Sequence, residues 1–124
     1  MRILSFDYKT GLHELKKVLH ELLGDALEFR GFNSVKRLLK AAEKQGYDMV
    51  FAEIAFQQKS GLLLLSELSF RYPKTKYVAV AAEMNDGDAL TMHRLHGGYI
   101  IKPYDREILA DMLRHLRFPA NETV

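Results

Sequence analysis

The stretch Tyr47-Asp48-Met49-Val50-Phe51-Ala52-Glu53-Ile54 decides the fold. Met49, Val50, Phe51, Ala52 and Ile54 make a nearly continuous apolar run. A short run of that kind suits a strand covered on both faces, and so predicts the centre of a parallel sheet. Its one charge, Glu53, then falls at the carboxyl end of the strand, where open α/β sheets collect ligands and chemistry.

The same alternation continues on either side. Upstream, Arg2–Phe6 reads as a first strand ending at Asp7. Leu12, Leu15, Val18, Leu19, Leu22 and Leu23 recur at threes and fours, predicting a helix closed by Gly24, with Glu14, Lys16, Lys17 and Glu21 opposite. Ala26–Phe29 reads as strand two. Ser34 then caps a helix carrying Val35, Leu38, Leu39 and Ala42, ended by Gly46. Downstream, Gln57–Gly61 reads as a polar loop with a turn glycine, followed by a leucine-rich helix from about Leu62 to Tyr72, before Pro73. Tyr77–Ala81 is strand four. Asn85-Asp86-Gly87-Asp88 opens a fourth helix with Ala89, Leu90, Met92 and Leu95 on its apolar side. Tyr99–Ile101 is strand five, broken by Lys102-Pro103, and Asp105 caps a last helix with Ile108, Leu109, Met112, Leu113 and Leu116. Met84, Met92 and Met112 read as fillers of core or interface gaps. Five strands alternating with five helices predict an α/β fold, a parallel sheet with helices on both faces. Residues 1–118 are expected to form the domain, and 119–124 a tail or the stub of a linker.

Composition narrows the function classes. The 124 residues suit one domain, and 48% hydrophobic with 27% charged residues is globular composition. Lys+Arg 18 against Asp+Glu 16 gives +2, too small an excess for a stand-alone nucleic-acid binder. Cysteine is absent, which removes disulfides, thiolate catalysis and sulfur-ligated metal, and fits a reducing cytosol. No apolar run reaches membrane-span length, so the expectation is a soluble, cytoplasmic protein with no membrane partner. Asp7-Tyr8-Lys9-Thr10-Gly11 holds one glycine, which rejects a dinucleotide fingerprint and a Walker A loop. No serine sits in a Gly-x-Ser-x-Gly elbow, so hydrolase chemistry has no support.

Strand ends nominate the site. Strand one ends at Asp7, strand three at Glu53, strand four at Ala81 and strand five at Lys102-Pro103. Two carboxylates and one ammonium should therefore converge on one rim, a set able to hold a hard cation or a phosphoryl group. The plainer alternative is that Asp7 and Glu53 only help to cap the helices that follow them.

Taken together, these residues resemble the receiver domain of two-component response regulators, over roughly residues 2–117. The marks are Ile3-Leu4-Ser5-Phe6-Asp7, the stretch Tyr47–Ile54, Gly61 beyond Glu53, and Tyr99-Ile100-Ile101-Lys102-Pro103-Tyr104. The resemblance implies a flavodoxin-like (CheY-like) three-layer (βα)5 sandwich with strand order 2-1-3-4-5, and a cis bond before Pro103. It also implies a phosphoacceptor aspartate at the end of strand three, an acidic pair for a divalent cation, a hydroxyl residue after strand four, and the lysine.

Three of these positions depart from the family pattern. Glu53 takes the phosphoacceptor place, Tyr8 replaces the second acid, and Ala81 replaces the hydroxyl residue. A glutamate is one methylene longer, and a misplacement of about an ångström can cost on the order of a hundredfold in rate. Asp7, Tyr8 and the backbone carbonyl near Ala55 leave a vestigial acidic site, so the expectation is no cofactor and weak Mg²⁺ at most. Ala81, Tyr99 and Lys102 stand at the switch positions, with Tyr99 either the switching aromatic or simply core. Two readings of Glu53 stay open: a mimic of the phosphorylated residue reaching Lys102, or a plain loss of switching.

The resulting expectation is a regulatory, non-enzymatic receiver-like domain acting through protein contacts in a two-component or phosphorelay pathway. The resemblance puts its output face on helix four, strand five and helix five, with Met92, His93, His96, Tyr99, Tyr104 and Arg106 as contacts. A homodimer, a histidine kinase or an effector such as a DNA-binding domain are the partners implied, with no direct nucleic-acid contact. His93 and His96 read otherwise as solvated helix residues. The alternatives are slow phosphorylation on Glu53, or a small-ligand pocket lined by Phe6, Tyr8 and Phe56.

Overall fold

The computed structural model describes residues 1–44 and 46–117, and the expected domain boundary at 118 and tail at 119–124 lie outside the described residues. Strands β1 (Arg2–Phe6), β2 (Glu28–Phe32), β3 (Met49–Glu53), β4 (Lys76–Ala81) and β5 (Gly98–Ile101) are parallel, in the order β2-β1-β3-β4-β5. The connecting helices are α1 (Lys9–Leu23), α2 (Val35–Lys44), α3 (Phe56–Arg71) and α4 (Asp86–Arg94), and α5 (Arg106–Arg117) follows the last strand. All five residues of β3 are buried, as its apolar run requires of the central strand.

Strand pleating divides the core into two layers. Leu4, Phe6, Val50, Ala52, Tyr77, Ala79 and Ala81 face α2, α3 and α4, where Leu38, Leu64, Leu65, Leu68 and Met92 meet them. Ile3, Met49, Phe51, Val78, Val80 and Ile100 face α1 and α5, against Leu15, Leu19, Leu109, Leu113 and Leu116. The split follows the period-two alternation of side chains along each strand.

Local signals set the helix starts. Ser34 Oγ accepts from Arg37 N at 3.3 Å, Asn85 Oδ1 from Asp88 N at 2.7 Å and Asp105 Oδ1 from Ile108 N at 2.9 Å. Each satisfies an amide that the first turn leaves without a helical partner. Among the described residues, no helix is long and apolar enough to cross a membrane.

Three expectations are corrected. Strand two runs over Glu28–Phe32, not Ala26–Phe29, because Gly24–Ala26 form a 3-10 turn that consumes the start of the apolar run. As an edge strand with one neighbour it carries exposed Glu28, Arg30 and Gly31, so its hydrophobic pattern does not report its register. That register is pinned instead by pairing from Arg2 with Glu28 through Phe6 with Phe32, and by the Arg2–Glu28 ion pair at 3.0 Å.

Helix α3 starts at Phe56, six residues before the expected Leu62, so Gly61 is a helix residue and not a turn. A Cβ at Gly61 would lie 2.3 Å from the Glu53 carbonyl oxygen, so glycine here serves close approach of α3 to the end of β3. The polar stretch still leaves its mark, since Gln57 and Gln58 have φ of 50° and 60°, left-handed values that strain a non-glycine residue. His96, expected on the fourth helix, lies past its end at φ 57°, where its N–H bonds the carbonyl of His93. It occupies the left-handed position that closes many helices.

Candidate functional site

Pleating carries three charged side chains to one face at the carboxyl ends of the strands. Asp7 continues the alternation Ile3, Ser5; Glu53 continues Met49, Phe51; and Lys102 continues Ile100. The Lys102 backbone N–H bonds the Ala81 carbonyl at 2.7 Å, extending β5 alongside β4. The lysine stem then crosses the end of β4 to reach the two central strands. Its ammonium stands 3.1 Å from Asp7 Oδ2 and 3.9 Å from Glu53 Oε1. The peptide bond from Lys102 to Pro103 is cis.

The two carboxylates are almost entirely buried, at 4% and 5% exposure for Asp7 and Glu53. Burial of a carboxylate without partners is costly, so where their oxygens go decides what the site can do. Asp7 Oδ1 accepts from the Tyr8 amide at 2.6 Å, and Oδ2 holds the ammonium. Glu53 bends back on its own chain: Oε2 accepts from the amides of Ala55, at 2.5 Å, and Phe56, at 3.1 Å. These amides open α3, so this carboxylate sits at the positive end of the helix dipole. The extra methylene of glutamate therefore brings the carboxylate onto the helix start. The plainer reading of Glu53 as a helix cap describes the geometry, and its contact with Lys102 is the longer of the two ammonium contacts.

Glycine makes room for this arrangement. A Cβ at Gly11, in the first turn of α1, would lie 2.2 Å from Asp7 Oδ2. Gly11 was legible only as a single glycine in the loop after strand one, and its packing against Asp7 has no sequence signature.

Aromatic rings join the loops that carry the two acids. Phe56 lies between Phe6, with ring centroids 5.0 Å apart, and Tyr8, 4.2 Å apart. Phe6 and Phe56 are buried while Tyr8 is half exposed. Phe6, Tyr8 and Phe56, expected to line a small-ligand pocket, pack on one another. Gln57 Nε2 also donates to the Asn33 carbonyl at 2.9 Å, tying this loop to the one after β2. On the far side of Lys102, Tyr104 packs into the α1–α5 layer, and burial, with the Asp7 and Glu14 carboxylates behind it, raises its phenol pKa well above the ordinary range.

The donor set does not fit a divalent cation. Magnesium takes near-octahedral oxygen coordination and usually one or two carboxylates with free oxygens. Here an ammonium stands against Asp7, Tyr8 contributes only its amide at this point, and Glu53 Oε2 is committed to two N–H groups. Among the described residues, no group of three His, Asp or Glu side chains could hold a metal ion. Ala55 is exposed, and its amide, the group this structure engages, faces Glu53.

The remaining candidates divide by burial. Ala81 is buried in the core. Tyr99, which could have been core, is 44% exposed and stands on the outer side of β5. His93, His96 and Arg106 are exposed and Tyr104 is half-buried. Met92 is fully buried against the sheet, so its expected place among surface contacts is corrected: it fills the core under α4. Around these positions the structure adds exposed Leu90, Ile101 and Ile108.

No protein-family model matches the chain, and no curated protein matches it. Solved structures do. A two-component response regulator from Clostridium difficile is similar at TM-score 0.82 and 22% identity, over 98% of each chain. A response regulator receiver domain (CheY-like) from Methylobacillus flagellatus is 26% identical at TM-score 0.73, over 93% of this chain and 96% of that one. The response regulator TrrA of Thermotoga maritima, solved in complex with Mg²⁺-BeF, is 23% identical at TM-score 0.74, over 93% and 97%. The chain has the CheY-like, flavodoxin-type fold of these receiver domains.

Proposed function

We propose that this chain is a regulatory, non-enzymatic receiver-like domain of a two-component or phosphorelay pathway that does not undergo ordinary phosphorylation. The observation that carries the reading is the state of the Glu53 carboxylate. It is buried, one oxygen is held by the Ala55 and Phe56 amides, and its neighbour Lys102 leans to Asp7. A nucleophilic carboxylate must reach a phosphoryl donor in line, whereas this one is aimed at the start of its own helix.

Of the two readings of Glu53, the geometry favours loss of switching over mimicry. A mimic would press its carboxylate on Lys102, yet the separation is 3.9 Å while Asp7 takes the closer contact. Ala81 offers no hydroxyl to couple the site to Tyr99, whose ring is on the outside. The domain then rests in one conformation and works through its surface. The α4–β5–α5 face, with His93, His96, Tyr99 and Arg106, is the proposed contact with a kinase, an effector or a second copy.

Incubation with acetyl phosphate and Mg²⁺, followed by intact-mass measurement, tests this. The expected result is an unchanged mass, and a stable phosphoryl adduct on Glu53 or any other residue would overturn it.

A further inference from the structure

The net charge of +2 conceals a division of the surface. Glu83, Asp86 and Asp88 make the loop into α4 and its first turn acidic, while Lys76 opens β4 and Arg94 closes α4. On the other side of the sheet's central strand, α2 turns Lys36, Arg37, Lys40 and Lys44 to solvent against one acid, Glu43. None of these four cations joins an ion pair among the described residues. A one-signed surface of this kind attracts and orients an oppositely charged partner.

Helix α3 packs beside α2 and runs in the same direction, since both cross back over a parallel sheet. It exposes the two most solvent-accessible large apolar side chains among the described residues, Phe70 at 89% and Leu63 at 72%. Seven residues apart, they lie on one side of the helix, about 10 Å from each other along its axis. Just beyond Phe70, a groove of about 670 Å³ opens at the amino ends of the strands, walled by Tyr47, Tyr72 and Lys74. Apolar anchors on a helix that packs beside cationic α2 match an amphipathic helix whose polar side is acidic, since such a helix repeats apolar residues at the same two-turn spacing. Exposed Leu63 and Phe70 suit the apolar side of such a helix better than a phosphate backbone, which offers an aliphatic side chain no apolar contact.

We propose that the exposed faces of α2 and α3 form a docking surface for an acidic amphipathic helix of a partner protein. This surface is separate from the α4–β5–α5 face, and the inference stands whether or not Glu53 accepts a phosphoryl group.

The test is an NMR titration of the full chain with a synthetic amphipathic helix of leucine and glutamate, alongside its lysine-for-glutamate counterpart and an oligothymidylate. Saturable binding of the glutamate peptide is expected, with shifts centred on Lys40, Lys44, Leu63 and Phe70. Phe70→Ala, and Lys40→Glu with Lys44→Glu, should each weaken it about tenfold or more, while Leu90→Ala leaves it unchanged. All of these side chains are exposed, and unchanged circular dichroism would confirm that the variants fold. Absence of saturable binding, equal binding of the lysine peptide, tighter binding of the oligothymidylate, or shifts centred on α4 and β5 would each overturn the proposal.

Discussion

Lys102 Nζ stands 3.1 Å from Asp7 Oδ2, joining the residue after β5 to the residue after β1 across the ends of β4 and β3. Three-quarters of the lysine side chain and nearly all of the aspartate are out of water. Among the described residues, Lys102 is the one cation within ion-pair distance of the two carboxylates at the sheet's rim, which otherwise accept from backbone amides.

Removing the ammonium should therefore destabilise the fold. Lys102→Met leaves two buried carboxylates without a counter-ion, which costs about 2–4 kcal/mol once partial exposure of the lysine is allowed for. Urea unfolding should show that loss, and adding Asp7→Asn should recover part of it. Equal losses in the two backgrounds would mean that the ion pair is not coupled to stability.

Glu53 should behave as a helix cap. Glu53→Ala strands the Ala55 and Phe56 amides and should cost about 1–2 kcal/mol, whereas Glu53→Gln keeps an acceptor oxygen and should lose less. If glutamine proves as damaging as alanine in thermal unfolding, the charge on Lys102 matters more than the cap.

Two glycines test the geometry by the sign of their effect. In an exposed helix, Gly→Ala stabilises by about 1 kcal/mol. At Gly11 and Gly61 the new Cβ would fall 2.2 Å from Asp7 Oδ2 and 2.3 Å from the Glu53 carbonyl. Both substitutions should therefore destabilise, by about 2 kcal/mol or more. A rise in melting temperature at either position would show that the approach is looser than described.

Tyr77 gives the fold an alkaline limit. Its single hydroxyl hydrogen is shared between the carbonyls of Tyr72, at 2.7 Å, and Leu68, at 2.9 Å, and burial pushes its pKa up to about 12 from 10.0. A pKa raised on folding adds stability that is complete below the unfolded value and disappears as pH climbs through the folded one. Stability should thus fall between about pH 10 and pH 12, and Tyr77→Phe should make that decline shallower while costing about 1 kcal/mol at neutral pH. An unchanged alkaline slope in the variant would assign the effect to other groups.

What could be read from sequence follows from how each element is buried. Met49–Glu53 is covered on both faces, so composition alone identifies it as the central strand, and Asp7, Glu53 and Lys102 follow as strand-end residues that the structure brings together. Glu28–Phe32 is an edge strand with one partner, so its register rests on pairing and an ion pair that local sequence does not display. Met92 and Tyr99 were misplaced or left open for a related reason: one residue along α4 or β5 separates core from surface, and single-residue hydrophobicity does not fix the phase. The fold-back of Glu53 onto Ala55 and Phe56 depends on a side-chain rotamer, for which the sequence carries no signal beyond the added methylene.

Glu53 is held as a cap and is not poised as an acceptor. Intact-mass spectrometry of the full chain with acetyl phosphate and Mg²⁺ addresses it most directly. A single unmodified species is expected, and a phosphoryl adduct mapped to Glu53 would show that the carboxylate leaves the helix start to accept.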